Sequence, residues 1–205
     1  FEDRVLSKAD HIITATPGMQ AEFESRAKSI SCIANGYDES DFSTETREQH
    51  SEKFILSYVG NLKSNQNVES LWKAIWELNK DENFSAKFEL NLTGNVDNTV
   101  LKSIENAGIK HLVNLEPFVA HQEAIERMRR SHLLLLPIPK TQDSKVILTG
   151  KIFEYLASDR PILAIGPTDG NAAEILTCTG KNSMIAYENS VQMIDQLRHY
   201  FQLFL

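Results

Sequence analysis

Runs of consecutive apolar residues alternate along most of this chain with stretches in which apolar residues recur at helical spacing. Residues 54–59 (FILSYV) and 132–136 (HLLLL) are apolar at nearly every position, as parallel strands covered by helices on both faces must be. Residues 68–78 instead carry their apolar side chains three or four positions apart, which is the spacing of one helix face. The pattern therefore predicts strands and helices in regular alternation.

The complete alternation predicts an α/β fold. Strands are expected at 10–14, 29–34, 54–59, 87–93, 111–115, 132–136, 161–165 and 183–187. Residues 1–9 have apolar residues at helical spacing, and further helices are expected at 17–27, 68–78, 98–106, 121–130, 150–157, 172–176 and 191–204. Because a helix lies between successive strands, the connections are crossovers, which are right-handed and make the strands parallel. We therefore expect a doubly wound, Rossmann-like parallel sheet.

A polar stretch divides the chain into two unequal parts. Residues 43–53 are polar and charged with no apolar period, which is typical of a linker. The turn dipeptide Asn35-Gly36 ends the last apolar run before this stretch. We predict a boundary near residue 45, so that 1–45 are the tail of a preceding domain with its linker and 46–205 form the main domain.

Composition narrows the classes of function. Of the 205 residues, 41% are hydrophobic and 24% are charged, which is typical of a globular protein. The net charge of −7 argues against general nucleic-acid binding but permits a local basic pocket. Cys32 and Cys178 are far apart and lack metal-ligand spacing, so reduced thiols are expected. The apolar runs are too short to span a bilayer, and the N-terminus has neither an initiator methionine nor a signal pattern. We expect a piece of a longer, cytoplasmic protein.

The stretch at 149–157 carries the main candidate chemistry. Gly150 opens a predicted short helix on which Lys151 and Glu154 share one face. A lysine in the first turn opposes the helix dipole, so its position indicates an anion site rather than a helix-stabilising role. Glu154 could accept hydrogen bonds from two neighbouring hydroxyls, such as those of a ribose. The alternative is an exposed lysine–glutamate pair contributing about 0.2–0.5 kcal/mol. These residues alone leave both readings open.

Four further candidates follow predicted strands. In a doubly wound sheet the ligand lies beyond the carboxyl ends of the strands, at the point where the strand order reverses. Gly60 would let the backbone approach a bulky anion, and Lys63 could reach the same anion. Phe118 and Val119 offer an apolar edge with free backbone groups, which suits a planar base.

Other common chemistries have no signature in the sequence. No G-x-G-x-x-G follows a strand, and there is neither a G-x-x-x-x-G-K-[ST] loop nor a G-x-S-x-G elbow. The six histidines show no ligand spacing, so no metal site is predicted.

Several passages resemble the retaining sugar-nucleotide glycosyltransferases of the GT-B fold, family 4 type. Residues 9–13 (ADHII) and 33–38 (IANGYD) are similar to the family's passage AD-x-I-I … I-P-N-G-V-D, which leads into its donor-binding half. Residues 58–62 (YVGNL) resemble Y-V-G-R-L, and 115–119 (LEPFV) resemble the strand end F-L-G-x-V. The most specific likeness is that of 150–164 to P-x-K-L-F-E-Y-L-A-x-G-R-P-V-L, found in members that act on surface polysaccharides.

The resemblance implies the C-terminal, donor-binding half of a GT-B enzyme and a role for each candidate residue. Glu154 would hold the ribose hydroxyls of the donor, and Lys151 and Gly150 would lie by its diphosphate. Gly60 would approach the same phosphates. The Phe118–Val119 segment would contact the base.

It also implies a substrate class and partners. The donor would be a nucleoside-diphosphate sugar, and neither a cofactor nor a metal is expected. A sugar or glycolipid acceptor would bind to an N-terminal domain, of which 1–35 resemble only the tail. This chain alone is therefore expected to bind nucleotide without transferring sugar. The whole protein would act in polysaccharide or glycolipid biosynthesis, in the cytoplasm or peripherally at the membrane.

Three positions depart from the family's pattern. Val146 stands where the first glutamate of its E-x7-E pair is expected, Asn61 replaces an arginine and Gln66 replaces a lysine. Either Lys63 and Lys151 serve instead, or the donor is bound differently, or activity has been lost. No catalytic residue is identified. The alternatives are a non-catalytic relative that binds partner proteins and a nucleotide-sugar epimerase of the same fold, although the acid–base residues of an epimerase are not evident.

Overall fold

The structure is a computed structural model that describes residues 1–42, 51–180 and 183–205. Its helices, labelled α1 to α9 in chain order, are Glu2–Leu6, Pro17–Phe23, Glu69–Leu78, Glu82–Lys87, Asn98–Asn106, His121–Arg130, Lys151–Ala157, Asn171–Cys178 and Ser190–Phe204. Its strands, labelled β1 to β7, are Ile12–Thr14, Ile30–Cys32, Phe54–Val59, Phe88–Thr93, Val113–Glu116, Leu133–Pro137 and Ile162–Ile165.

Five of these strands form one parallel sheet, in the order β5-β4-β3-β6-β7. The chain passes from β3 outward through β4 to β5 and then returns to the other side of β3 to form β6 and β7. The strand order therefore reverses between β3 and β6, which is where a ligand is expected in such sheets. The predicted α/β fold with a doubly wound parallel sheet is confirmed.

Helices cover both faces of this sheet. On one face, α3, α5 and α9 bury a large cluster that includes Leu71, Trp72 and Phe201 against β3 and β4. On the other face, α6, α7 and α8 pack a smaller cluster around Ile152 and Tyr155. Strand β6 is buried at all of its positions, because both clusters use its side chains. This is why the sequence of β6 is apolar throughout.

The prediction missed one helix and placed a strand where the structure has only an isolated bridge. Helix α4 begins where the carboxylate of Asp81 accepts hydrogen bonds from the backbone N–H groups of Asn83 and Phe84, both at 2.9 Å. Its buried Phe84 stacks on Phe88, the first residue of β4, with ring centroids 4.6 Å apart. The strand predicted at 183–187 makes only a single parallel bridge within the described residues, between Ile185 and Ile165.

The first 42 residues contain a small sheet that is separate from the five-stranded one. Strands β1 and β2 pair in parallel as a separate two-stranded sheet, and α2 packs on them. Most of the predicted linker, residues 43–50, lies outside the described residues. The boundary near residue 45 therefore stays a prediction.

Candidate functional site

The gap between β3 and β6 forms the floor of the candidate site. Strand β3 pairs with β4 from Phe54 to Val59, but with β6 only through Leu56 and Ser57. Beyond Ser57 the two strands part, and side chains satisfy the backbone in place of a ladder. The Val59 N–H donates to the hydroxyl of Tyr155 at 3.3 Å, and the Gln66 amide donates to the carbonyl of Pro137 at 2.9 Å. The parted strands leave a cleft at the carboxyl edge of the sheet.

Two glycines bring backbone into this cleft at the ends of β3 and β4. Gly60 has φ +123° and Gly94 has φ +110°, a region that side-chain-bearing residues rarely adopt. A Cβ on Gly94 would lie 2.5 Å from the carbonyl oxygen of Gly60. Their N–H groups continue the ladder, from Gly60 to the Thr93 carbonyl at 2.8 Å and from Gly94 to the Glu116 carbonyl at 2.9 Å. Gly94 therefore lets the two strand ends approach closely and Gly60 leaves space above its backbone, while both N–H groups are used within the sheet.

Lys151 occupies that space. Its ammonium lies so close to Gly60 that a Cβ there would overlap it, and it lies 5.4 Å from the centroid of the Tyr58 ring. The side chain is partly buried, and no carboxylate of the described residues forms an ion pair with it. Burial lowers the pKa of Lys151, and the charge of Glu154 offsets part of this effect. A partly desolvated cation of this kind is a natural site for an anion.

The remaining lining comes from α7 and from the segment that follows β5. Glu154, Phe118 and Val119 join Gly60 and Lys151 around a cavity of about 200 Å³. Phe118 is 72% exposed, so its ring is available to a planar group. The structure thus brings five of the seven predicted residues together, with carboxylate, ammonium and aromatic groups facing one cavity.

Lys63 and Gly150 do not line this cavity. Lys63 is exposed and precedes the short 3-10 turn Ser64–Gln66, whose last residue is turned inward to Pro137. Gly150 caps α7 with φ −55°, and a Cβ added there would meet nothing within 4 Å. Neither position requires glycine or lysine for packing.

The structure adds residues that the sequence did not suggest. Thr93, Met128 and His121 also line the cavity. The His121 Nε2 lies 2.9 Å from the carboxylate of Asp41, so a residue near the end of the first described segment reaches the rim of the cleft. In the sequence, the only feature that indicated a place for His121 near the cleft was its position at the start of a helix that follows a strand end.

The three departures from the family's pattern have identifiable surroundings. The side-chain oxygen of Asn61 accepts a hydrogen bond from the Asn95 amide at 3.1 Å. Gln66 is buried and also accepts from the Lys63 N–H at 3.3 Å. Val146 packs on α2, where a Cβ on Gly18 would lie 2.6 Å from its Cγ1. These side chains therefore contact the protein itself in this structure.

Two further findings concern the described residues as a whole. No three histidine, cysteine, aspartate or glutamate side chains among them come together as a metal-binding group. None of their helices combines the length and the apolar character that crossing a membrane would require.

No protein-family model matches the chain, and no curated protein sequence matches it. Solved structures do match. Sucrose-phosphate synthase (tll1590) from Thermosynechococcus elongatus is similar with a TM-score of 0.77 at 13% identity, over 98% of this chain and 51% of that one. WaaG, a glycosyltransferase involved in lipopolysaccharide biosynthesis, gives 0.72 at 15% identity, over 93% and 53%. The trehalose-6-phosphate synthase OtsA gives 0.74 at 10% identity, over 98% and 54%.

The chain thus spans about half the length of these structures. At such low identity the likeness shows the fold alone. That fold is a Rossmann-like half of the GT-B architecture shared by these glycosyltransferases, as the sequence predicted. The assignment to family 4 stays a prediction.

Proposed function

We propose that this chain is the donor-binding half of a retaining glycosyltransferase, which transfers a sugar from a nucleoside-diphosphate sugar to a sugar or glycolipid acceptor. The observation that carries the proposal is the partly buried ammonium of Lys151, which lies without an ion-pair partner among the described residues above the Gly60 backbone. A cation in this position, at the reversal point of a doubly wound sheet, suits the diphosphate of a nucleotide.

The other residues of the cavity fit the remaining parts of such a donor. Glu154, one helical turn beyond Lys151, would accept hydrogen bonds from the two ribose hydroxyls. The exposed ring of Phe118 and the adjacent Val119 would lie against the base. Gly60 would leave room for the phosphates, because a side chain there would overlap the ammonium of Lys151.

Transfer would release a nucleoside diphosphate, on which negative charge develops as the bond to the sugar breaks. Lys151 would stabilise this charge in a partly desolvated site, where a fixed cation is most effective. Lys63 and Gly150 would have at most an outer role, since they lie outside the cavity lining. The donor is a substrate, and the proposed reaction uses no cofactor or metal.

The acceptor site and the completed reaction belong to a larger protein in this proposal. We expect residues 1–45 to be the tail of an N-terminal acceptor domain and 46–205 to be the donor domain, with the isolated chain binding donor without transferring sugar. Biosynthesis of a polysaccharide or glycolipid is the proposed setting. The structural neighbours favour neither the epimerase nor the purely protein-binding alternative.

Calorimetric titration of the chain with UDP, GDP and ADP, and with their glucose conjugates, tests the proposal. At least one nucleotide should bind, and Glu154→Ala should weaken its binding at least about tenfold through loss of two charge-assisted hydrogen bonds. Glu174→Ala, on the exposed side of α8, is the matched control and should leave affinity unchanged. Equal affinity of Glu154→Ala and Glu174→Ala would show that Glu154 does not bind the ribose. Absence of a binding heat with every nucleotide would overturn the proposal.

A further inference from the structure

A second, wider groove lies on the opposite face of the sheet from Lys151. It has a volume of about 690 Å³ and runs between α3 and α5. Helix α3 contributes Glu69, Trp72, Lys73 and Trp76, which share one face because they are three or four residues apart. Over these seven helical steps the groove extends about 10 Å along the helix axis.

The wall formed by α3 is aromatic. Trp72 is 1% exposed and its indole N–H donates to the Asn67 side chain at 2.7 Å. Trp76 is 45% exposed although it stands on a helix whose core face is already supplied by other apolar side chains. The ammonium of Lys80 lies 4.1 Å from the centroid of the Trp76 ring, a cation–π contact that occupies part of one ring face and favours a fixed orientation of the indole. Trp76 is therefore a large aromatic surface that the fold does not bury.

The facing wall, on α5, is polar. Its lining residues are Thr99, Lys102, Ser103 and Asn106. Within the described parts of the chain, the side chains of Lys102, Ser103 and Asn106 make no hydrogen bond or ion pair, and neither does Lys73 at the edge of the aromatic wall. Hydroxyl, amide and ammonium groups thus lie across the groove from Trp76 without partners in the described protein.

We propose that this groove binds a pyranose oligosaccharide. A pyranose ring has one apolar face of C–H groups, which stacks on an aromatic ring, and a rim of hydroxyls that donate and accept hydrogen bonds. An exposed aromatic ring opposite polar side chains that make no hydrogen bonds with one another is complementary to both features. Trp76 provides the stacking surface, and Ser103, Asn106 and Lys102 bind the hydroxyls. The site does not rest on the donor-binding proposal, because it shares no residue with the Lys151 cavity.

The sequence provides a direct probe of this groove. The chain contains two tryptophans, and both line it, so intrinsic fluorescence reports on this site and not on the Lys151 cavity. The chain would be titrated with the glucose hexasaccharides maltohexaose and cellohexaose and with chitohexaose. We expect a saturable change in emission with at least one of them, at a Kd of about 1 mM or tighter.

Substitutions then locate the binding. Trp76→Ala should weaken the oligosaccharide at least about tenfold, whereas Trp76→Phe, which keeps an aromatic ring, should stay within about threefold of the unsubstituted chain when binding is followed by calorimetry. Ser103→Ala together with Asn106→Ala tests the polar wall without disturbing the tryptophans and should also weaken binding. The free energy of unfolding of each variant, measured in urea, is the control and should show that all of them remain folded.

The proposal is overturned if none of the three oligosaccharides changes the fluorescence, or if binding survives both Trp76→Ala and the α5 double substitution. Failure of nucleotide binding in the Lys151 cavity would leave these measurements unaffected, so the two proposals can be judged separately.

Discussion

The two sides of strand β3 are built in different ways. Toward β4, all six residues of β3 are paired and the chain ends of both strands meet through Gly60 and Gly94. Toward β6, only Leu56 and Ser57 are paired, and the hydroxyl of Tyr155 and the amide of Gln66 complete the hydrogen bonding beyond them. The β3–β4 side, called here the regular side, sets the register of the sheet. The β3–β6 side, called here the open side, forms the cleft.

The difference shows how a fold of this class makes a site without breaking its core. The cleft opens because the connections that follow β3 and β6 lead to opposite faces of the sheet. The side chains that bridge the gap come from α7 and from the turn after β3. Helix α7 also lines the proposed ligand cavity, through Lys151 and Glu154, so stability and binding depend on neighbouring residues of this helix.

The stability of the protein should be most sensitive to an added methyl group on the regular side, where the strand ends are closely packed. In Gly94→Ala the new Cβ would meet the carbonyl oxygen of Gly60, which belongs to the backbone and cannot turn away, at a φ that alanine rarely adopts. We expect a loss of about 3 kcal/mol in the free energy of unfolding, measured by urea denaturation. Gly150→Ala, which meets no neighbour within 4 Å, is the control and should change stability by less than about 0.5 kcal/mol. Similar losses in both variants would show that the strand ends are not held together tightly.

Sequence reasoning anticipated the regular side well. The apolar runs of β3 and β6 and the glycines that follow strands are local patterns, and a local pattern is visible in one sequence. The structure agrees with nearly all of the expected elements, and Gly60 lies at the strand end where it was predicted. Helix α4 was missed because its signal is a single capping aspartate, Asp81, followed by mostly polar residues.

The open side is the place to test the role of the bridging side chains. Tyr155→Phe would leave the buried N–H of Val59 without its partner, and we expect a loss of about 2 kcal/mol in the free energy of unfolding. Tyr58→Phe is the matched control, since its hydroxyl donates to the carbonyl of Asn61, an exposed residue that water can reach. It should lose less than about 1 kcal/mol. Equal losses in urea denaturation would contradict the view that Tyr155 replaces a missing ladder bond.

The candidate site was only partly predictable because it depends on contacts between distant segments. The sequence could place Lys151 and Glu154 on one helix face, and Phe118 after a strand. It could not show that Gln66 would turn inward to Pro137, 71 positions away, while its neighbour Lys63 stays in solvent. Nor could it bring Asp41 to His121, 80 positions apart. Helical spacing fixes neighbours on one element, whereas these pairs come from separate elements that only the tertiary fold brings together.

The smallest expected effect on stability concerns Lys151, the side chain that lies in the cleft. Its substitution is expected to raise the free energy of unfolding, whereas the glycine and tyrosine substitutions lower it. Lys151→Met removes a partly buried ammonium that has no ion-pair partner among the described residues. Because burial lowers the pKa of Lys151 in the folded protein below its ordinary value of 10.5, the charged form is favoured by the unfolded chain. We expect the variant to be the more stable protein at pH 7, by less than the losses expected above.

The pH dependence of this gain identifies its cause. As the pH rises through the lowered pKa toward 10.5, the folded protein loses the proton first, its burial penalty disappears, and the difference between the two proteins should shrink toward zero. Urea denaturation at pH 7 and pH 10 measures it, with Lys63→Met as the exposed-lysine control that should change little. A variant that is less stable at pH 7 would mean that the ammonium makes a net stabilising contact. A gain in stability accompanied by weaker nucleotide binding would show that the Lys151 ammonium destabilises the folded chain but contributes to binding of the ligand.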